Sequence, residues 1–267
     1  MSRCPPILSV RDLHVSIAGK EVVRGVSLDL LSGALHVIMG PNGAGKSTLV
    51  QALMGHPDVS ILGGSAKFRG KNILIMKPHE RAQAGLFLAF QHPRDIAGVT
   101  LRSFLFSAQK MQMAAREPKV KIISPLQFRD GLLKQAASLH LDDSFIERDV
   151  NKGFSGGERK KAELLQLLTL RPILALLDET DSGLDLDALR ILADGLKRLR
   201  KERSKGTHPL TLLLVTHNPR FLKYLPPDHV HVMVQGKIVE SGGGALARRL
   251  EREGFAGYRT HRDFLSP

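Results

Sequence analysis

The sequence predicts an α/β protein built around a phosphate-binding loop, and three observations support this prediction. Residues 40–48 read Gly-Pro-Asn-Gly-Ala-Gly-Lys-Ser-Thr and fit the pattern G-x-x-x-x-G-K-[ST]. An apolar run at 36–39 precedes this loop and helix formers at 47–54 follow it, which is the strand-loop-helix context that phosphate binding needs. Two further apolar runs, 173–177 and 210–215, have the length and composition of buried parallel strands.

The first part of the chain also contains strands that do not belong to a parallel core. Residues 13–17 alternate apolar and polar side chains, and residues 26–30 alternate again after Gly25. Another strand pattern, 65–69, follows a pair of glycines. These segments predict a small antiparallel β arm beside the phosphate loop.

The middle of the chain predicts a helical insertion. The apolar run 85–90 is a strand that ends at Gln91, because a proline closely follows. Residues 101–116 and 126–140 then have helical patterns. We therefore predict a single domain whose parts are a main core with its β arm, formed by 1–93 and 151–267, and an inserted helical subdomain, 94–150.

The last third returns to alternating strands and helices. Short strands are predicted at 230–234 and 237–240, on either side of Gly236, and a terminal helix at about 244–253. Leucines at helical spacing, Leu189 to Leu199, predict another helix before the strand at 210–215. The order of elements is that of an α/β domain.

Composition limits the classes of protein to consider. The chain has 267 residues with 42% hydrophobic and 24% charged side chains, which is typical of a globular domain, and no apolar stretch approaches the roughly 18 residues of a membrane helix. The N-terminus is too short and polar for a targeting peptide, so we expect a cytoplasmic protein. Its lone Cys4 cannot form an internal disulfide or a cysteine-built metal site. The net charge of +13 leaves nucleic acid, an acidic membrane surface and an acidic protein partner open.

The phosphate loop predicts binding of a nucleoside triphosphate with magnesium. Its glycines allow backbone amides to approach the phosphates, and the following helix adds its positive dipole. Lys46 reaches the terminal phosphates, and the Ser47 hydroxyl is a magnesium ligand. The predicted phosphate-binding residues are Gly40, Pro41, Asn42, Gly43, Ala44, Gly45, Lys46, Ser47 and Thr48.

Two carboxylates, Asp178 and Glu179, end the apolar run at 173–177. Open α/β sheets bind ligands at the carboxyl ends of their strands, so both side chains are expected at the nucleotide. Asp178 is predicted to hold magnesium through water. Glu179 is predicted to polarise the attacking water, because hydrolysis at a γ-phosphate depends on positioning and charge stabilisation.

A second anion site is predicted at Ser155, Gly156 and Gly157, which stand immediately before a helical run. The serine, the two glycine amides and the helix N-terminus all face one point. Because the phosphate loop already holds the phosphates of one nucleotide, this second site suits the γ-phosphate of a nucleotide held by another subunit.

These motifs together resemble the ABC ATPase family, whose signature sequence is of the Ser-Gly-Gly type. Gln91 matches the family's glutamine loop, residues 182–185 match its D-loop, and His217 matches its switch histidine. The resemblance implies an ABC-type P-loop NTPase with a RecA-like core, which hydrolyses ATP with Mg²⁺. It implies catalytic roles for Gln91, Glu179 and His217, with Gln91 joining Ser47 and Asp178 around the metal. One departure is the absence of an aromatic side chain at 15–18 for adenine stacking, so an aliphatic contact must substitute and base selectivity stays open.

The sequences after the signature and after Glu179 resemble those of a subgroup of this family, the SufC-type ATPases of the SUF iron–sulphur cluster assembly system. Residues 158–163 read Glu-Arg-Lys-Lys-Ala-Glu and residues 180–185 read Thr-Asp-Ser-Gly-Leu-Asp. The resemblance extends over nearly the full length. It implies two copies of the chain, dimerising with ATP on a scaffold of SufB- and SufD-like proteins, without nucleic acid or membrane insertion.

Three alternatives differ in class. An energy-coupling subunit of an ABC transporter has the same fold and site. Only the sequences of the signature and the D-loop argue against this alternative. A DNA-organising ATPase needs a coiled-coil or zinc insertion between Gln91 and Ser155, and the sequence has neither. A regulatory binder without hydrolysis is expected to lack Glu179 or His217, and both are present.

Overall fold

A computed structural model describes residues 5–91, 93–116, 123–184, 186–203 and 209–258. The strands are β1 (Leu8–Ile17), β2 (Lys20–Leu30), β3 (Leu35–Met39), β4 (Val59–Phe68), β5 (Lys71–Asn72), β6 (Leu86–Ala89), β7 (Ile96–Thr100), β8 (Asp149–Val150), β9 (Leu174–Asp178), β10 (Thr211–Val215), β11 (His229–Val234) and β12 (Lys237–Gly242). The α-helices are α1 (Lys46–Met54), α2 (Pro78–Ala84), α3 (Leu101–Arg116), α4 (Pro125–Ser138), α5 (Gly156–Leu170), α6 (Leu186–Arg203), α7 (Pro219–Tyr224) and α8 (Gly244–Glu253). Short 3₁₀ turns lie at Asp143–Glu147 and Ala256–Tyr258.

The main sheet has the strand order β12-β11-β3-β10-β9-β6. Its strands run parallel except β12, which pairs antiparallel with β11 at the edge. In the central register, Val215 of β10 lies opposite Ile38 of β3 and Asp178 of β9. The segments that follow these three strands, including the phosphate loop, therefore leave the sheet side by side.

The predicted β arm is confirmed as an antiparallel sheet in the order β2-β1-β4-β5. Strand β1 begins at Leu8, earlier than the alternation at 13–17 predicts. The register between β1 and β2 shifts between Val10 and Leu13, and Asp12 has a φ of 47°. This bulge interrupts the alternation of period two in the middle of the strand.

Alternate residues of the main sheet contribute to two apolar layers. On one face, side chains such as Ile38, Leu176 and Leu213 pack against α1 and the β arm. On the other, side chains such as Val37 and Leu177 pack against helices of the middle and last parts of the chain. The parallel strands are thus buried on both faces, as their continuous apolar runs predict.

The segment 94–150 contains α3 and α4, and both pack against α5. Helix α4 begins at Pro125 and ends at Ser138, slightly earlier than the pattern at 126–140 predicts. The segment also contains β7, which pairs with β8, so it is not purely helical. Its status as a separate subdomain remains a prediction.

Candidate nucleotide-binding and hydrolysis site

The phosphate loop connects β3 to α1 and is wrapped around a buried lysine. Lys46 is 5% exposed, and its Nζ donates hydrogen bonds to the carbonyl oxygens of Gly40 and Pro41, each at 2.9 Å. A Cβ on Gly40 would lie 2.0 Å from the Met233 carbonyl oxygen, so the close approach of β11 requires glycine. Gly45, at the start of α1, has a φ of 98°, which favours glycine as well. The backbone geometry therefore explains why glycine stands at these two positions of the motif.

The residues predicted to hold magnesium lie together. The Ser47 hydroxyl donates a 2.9 Å hydrogen bond to Asp178 Oδ1. Asp178 is 3% exposed, and burial raises its pKa to about 6, although the Ser47 bond acts in the opposite direction. A hydroxyl and a carboxylate are oxygen ligands of the kind Mg²⁺ prefers, and the ion usually takes its other ligands from water and phosphate. This pair fits magnesium.

The predicted catalytic residues meet at the end of β9. Glu179 Oε2 accepts a 2.6 Å hydrogen bond from Gln91 Nε2, and Glu179 Oε1 lies 3.4 Å from His217 Nδ1. The Glu179 side chain is 12% exposed, whereas that of His217 is 50% exposed. The contact recorded for Gln91 is with Glu179 and not with Ser47 or Asp178, so its role as a metal ligand remains a prediction.

The two halves of the site also interact electrostatically. Burial lowers the pKa of Lys46, while the negative charges of Glu179 and Asp178 act to raise it. Glu179 itself has a φ of 48°, and its backbone N–H donates to the Val215 carbonyl at 3.0 Å. Such a left-handed conformation in a residue other than glycine is uncommon and is concentrated at functional sites. It turns the chain sharply after β9 and directs Glu179 toward the loop.

The signature residues form a capped helix start. Ser155 Oγ accepts a hydrogen bond from the Glu158 backbone N–H at 3.2 Å, and Glu158 Oε2 accepts from the Ser155 N–H at 2.8 Å. Arg148 donates to Glu158 Oε1 at 2.6 Å and stacks over the Phe154 ring, with 4.5 Å to its centre. This reciprocal capping box leaves other amides of the first turn available for an anion.

The structure does not bring the signature to the phosphate loop of the same chain. Helix α5 packs against α3, α4 and α6, whereas α1 packs against α2 and strands of both large sheets. No hydrogen bond or ion pair joins residues 155–157 to residues 40–48 within the described ranges. Asp185 of the predicted D-loop lies outside the described residues.

Sequence reasoning missed several residues that shape the site. Arg148 supports the signature, and a hydrogen bond joins Asp181 to Thr216 beneath Glu179 and His217. The S-x-x-E spacing of Ser155 and Glu158 is the signal that could have predicted the cap. For Asp181 and Thr216 the only signal was that each is a polar residue close to a predicted catalytic one.

No helix in the described part of the chain combines the length and apolar character needed to cross a bilayer.

A phosphate loop at the end of a parallel strand, with the Ser47–Asp178 pair and a glutamate beside it, defines a P-loop nucleoside triphosphatase. The comparison with family models then identifies the family, because the model described as ABC transporter matches residues 23–182. The chain belongs to this family, and it is a SufC-like ABC ATPase that hydrolyses ATP.

Curated relatives resemble the chain over most of its length. It is 43% identical to the "Probable ATP-dependent transporter SufC" of Escherichia coli, with 93% of this chain and 97% of that protein covered. It is 47% identical to "Vegetative protein 296" of Bacillus subtilis, covering 93% and 91%. It is 45% identical to the "Probable ATP-dependent transporter ycf16" of Cyanophora paradoxa, covering 93% of each.

Solved structures confirm the fold. A nucleotide-free ATP-binding cassette from an ABC transporter matches with a TM-score of 0.74 and 21% identity, covering 96% of this chain and 100% of that one. The dimeric cassette MJ0796 matches with a TM-score of 0.72 and 17% identity, covering 88% and 98%. The predicted α/β class with its antiparallel arm is therefore confirmed.

Proposed function

We propose that this chain is the ATPase of a cytoplasmic iron–sulphur cluster assembly complex and that it drives conformational change in a scaffold. The observation that carries the hydrolytic part is the meeting of Gln91, Glu179 and His217 beside the Ser47–Asp178 pair. The assembly part is supported by the similarity to the relative named SufC. The energy-coupling subunit of a transporter is the second candidate, because relatives are named "Probable ATP-dependent transporter" or "Probable ABC transporter ATP-binding protein".

In this proposal each residue has one task. Lys46 and the loop amides bind the phosphates, and Ser47 and Asp178 would hold magnesium, whose positive charge would offset the negative charge of the phosphates. Glu179 accepts the proton of the water that attacks the γ-phosphorus, while Gln91 and His217 orient the Glu179 carboxylate. The partly buried position of Glu179 keeps its carboxylate close to the loop instead of extended into solvent.

The second anion site requires a second chain in this proposal. Ser155 and the amides of Gly156 and Gly157 would contact the γ-phosphate of a nucleotide held by the partner copy. The absence of contacts between this segment and the phosphate loop within the described part of one chain supports that arrangement. Two copies of the chain would close around ATP and separate after hydrolysis, on SufB- and SufD-like scaffold proteins.

The segment 93–99 is the proposed scaffold contact. Ile96 is 39% exposed, and the neighbouring Phe90 is 42% exposed. The same segment is tied to the signature region, because Asn151 donates to the Arg94 carbonyl at 2.9 Å and Asp95 lies 3.6 Å from Arg159 of α5. Movement of the signature toward a nucleotide would therefore be transmitted to a bound scaffold.

Purification of the tagged chain from its native cells, followed by identification of co-purifying proteins, tests the proposal. We expect a pair of scaffold proteins from the soluble fraction, and an Ile96→Asp variant should lose them while binding ATP normally. Ile75→Asp is the matched control, since Ile75 is 82% exposed and lies between β5 and α2. Recovery of an integral membrane permease with the wild-type chain would favour the transporter candidate instead.

A further inference from the structure

A buried hydrogen bond connects the two segments that carry Glu179 and His217. Thr216 Oγ1 lies 2.7 Å from Asp181 Oδ2. Thr216 immediately precedes His217, and Asp181 follows Glu179 by two residues. The bond therefore joins the loop after β9 to the loop after β10, directly behind the two predicted catalytic side chains.

The direction of this hydrogen bond follows from its neighbours. The backbone N–H of Asn218 donates to Thr216 Oγ1 at 2.9 Å, so the hydroxyl proton of Thr216 is free to be donated to Asp181. Asp181 is 3% exposed and Thr216 is fully buried, so water does not compete for either group. Burial raises the pKa of Asp181, and the bond from Thr216 opposes that shift by favouring the carboxylate.

Backbone hydrogen bonds hold the two segments that this side-chain bond connects. The Thr216 N–H donates to the Ile38 carbonyl of β3 at 3.3 Å, two residues before the phosphate loop. On the other side, the Ser182 N–H donates to the Glu179 carbonyl at 3.0 Å and closes the turn that contains Asp181. A shift of either loop would change the 3.4 Å distance between Glu179 and His217.

We propose that Asp181 and Thr216 are positioning residues that hold Glu179 and His217 in register for hydrolysis. Within the described residues neither side chain donates or accepts a hydrogen bond with the phosphate loop, so both act on the catalytic pair and not on nucleotide binding. The inference rests on the proposed roles of Glu179 and His217. It predicts a loss of turnover with little loss of ATP affinity.

The test compares matched substitutions at Thr216 in the full chain. Thr216→Val keeps the shape but removes the hydroxyl, which donates to Asp181 and accepts from the Asn218 N–H, whereas Thr216→Ser keeps the hydroxyl. We expect Thr216→Val to lower kcat about 10- to 100-fold, because small misplacements of catalytic groups have effects of this size. The Kd for Mg-ATP should change less than about 3-fold, and Thr216→Ser should keep kcat within about 3-fold of wild type.

Thermal melting of both variants and a parallel Glu179→Gln variant separate the possible failures. If Thr216→Val turns over at the wild-type rate while Glu179→Gln is inactive, the positioning role is wrong but the site assignment stands. If Glu179→Gln remains active, the proposed catalytic role itself fails. Equal losses of kcat in Thr216→Val and Thr216→Ser, or a parallel loss of ATP affinity, would also overturn the inference, because an effect of the Thr216 hydroxyl on hydrolysis would then be absent.

Discussion

Single residues of the site owe their chemistry to burial combined with specific hydrogen bonds. Lys46 keeps its position through the carbonyl groups of Gly40 and Pro41, which are also part of the loop that it serves. Asp178 is held by Ser47 at the end of a fully buried strand. Because these groups are buried, water cannot replace a hydrogen-bond partner that a substitution removes. We therefore expect large effects from substitutions in the site, either on ATP affinity or on turnover.

Lys46→Ala is expected to weaken Mg-ATP binding by at least about 10-fold, since the phosphates lose a charge-assisted hydrogen bond. Isothermal titration measures the affinity directly. Lys67→Ala is the matched control, because Lys67 is an exposed lysine of the β arm and its loss should leave the affinity unchanged. An unchanged affinity in Lys46→Ala would contradict the phosphate-loop assignment.

Glu179→Gln is expected to bind ATP normally and to lower turnover about 100-fold or more, because the amide cannot accept the proton of the attacking water. The glutamine can still take part in the hydrogen bond with Gln91, which keeps the local geometry. Phosphate release under saturating ATP measures the effect. Turnover close to that of the wild type would place the base elsewhere.

Individual elements are specified by their ends as well as by their apolar faces. Helices α4 and α5 both begin with a capping box, in which Ser124 pairs with Gln127 and Ser155 pairs with Glu158. Short helices such as α2 and α7 begin with proline in the first turn but have too few residues for a periodic pattern. They were not predicted from the sequence for that reason.

The two capping boxes allow a matched comparison of a structural cap with a functional one. Ser124→Ala and Ser155→Ala should each lower the free energy of unfolding by about 1 kcal/mol. Only Ser155→Ala should also lower ATP turnover, by about 10-fold, because its hydroxyl is proposed to contact a phosphate. Urea unfolding and phosphate release measure the two effects, and equal turnover in both variants would limit Ser155 to capping.

A chain of hydrogen bonds also joins β3, β11 and β12. The Leu31 N–H donates to His36 Nε2 at 2.9 Å, so the proton of neutral His36 is on Nδ1, which lies 3.1 Å from His231 Nε2. His231 Nδ1 in turn lies 2.8 Å from Ser241 Oγ. Burial lowers the pKa of His36 to about 3 and that of His231 to about 4. Both rings are therefore neutral in the folded protein.

This arrangement predicts a pH-dependent contribution to stability. The unfolded chain binds protons at these histidines below pH 6.5 while the folded chain does not, so the contribution is present above pH 6.5 and is lost as the pH falls toward about 4. His231→Gln should therefore destabilise the protein less at pH 5.5 than at pH 7.5, by about 1.4 kcal/mol.

Urea unfolding of variant and wild type at both pH values gives this difference. Burial also raises the pKa of Glu163 to about 7, so this carboxyl group makes stability fall as the pH rises, opposite to the histidines. Because Glu163 is present in both proteins, its effect cancels when variant and wild type are compared. His79→Gln, at an exposed position, is the control and should have a small effect at both pH values. A penalty for His231→Gln that is the same at both pH values would show that the buried ring is not held neutral.

In the whole molecule, the main sheet brings the phosphate loop, Asp178 and His217 to one edge, while the signature begins a helix in another layer. A single chain therefore has the predicted catalytic residues at one edge of the sheet and the predicted anion site at a separate place. The net charge of +13 does not identify the partner.

Mixing two inactive variants tests the proposed sharing of the site between chains. Lys46→Ala and Ser155→Arg should each be inactive, but a mixed dimer combines one intact loop with one intact signature. Random pairing makes about half of the dimers mixed, so activity should recover to about a quarter of that of the wild type. Wild-type specific activity should also rise with protein concentration. Mixtures that stay inactive although sedimentation shows association would contradict the two-chain mechanism.

The sequence by itself determined the class of the fold, the phosphate-loop motif and the β arm, and it predicted the site residues that remain to be tested. It could do so because strand and helix periodicities, glycine positions and the strand-loop-helix context are local properties of the chain. Only the tertiary structure decided that Glu179 contacts both Gln91 and His217, and that Asp181 and Thr216 share a hydrogen bond. These contacts depend on the register of β3, β9 and β10, and on the left-handed turn at Glu179. Register between strands that are far apart in the chain is set by burial of whole faces, which no short stretch of sequence contains.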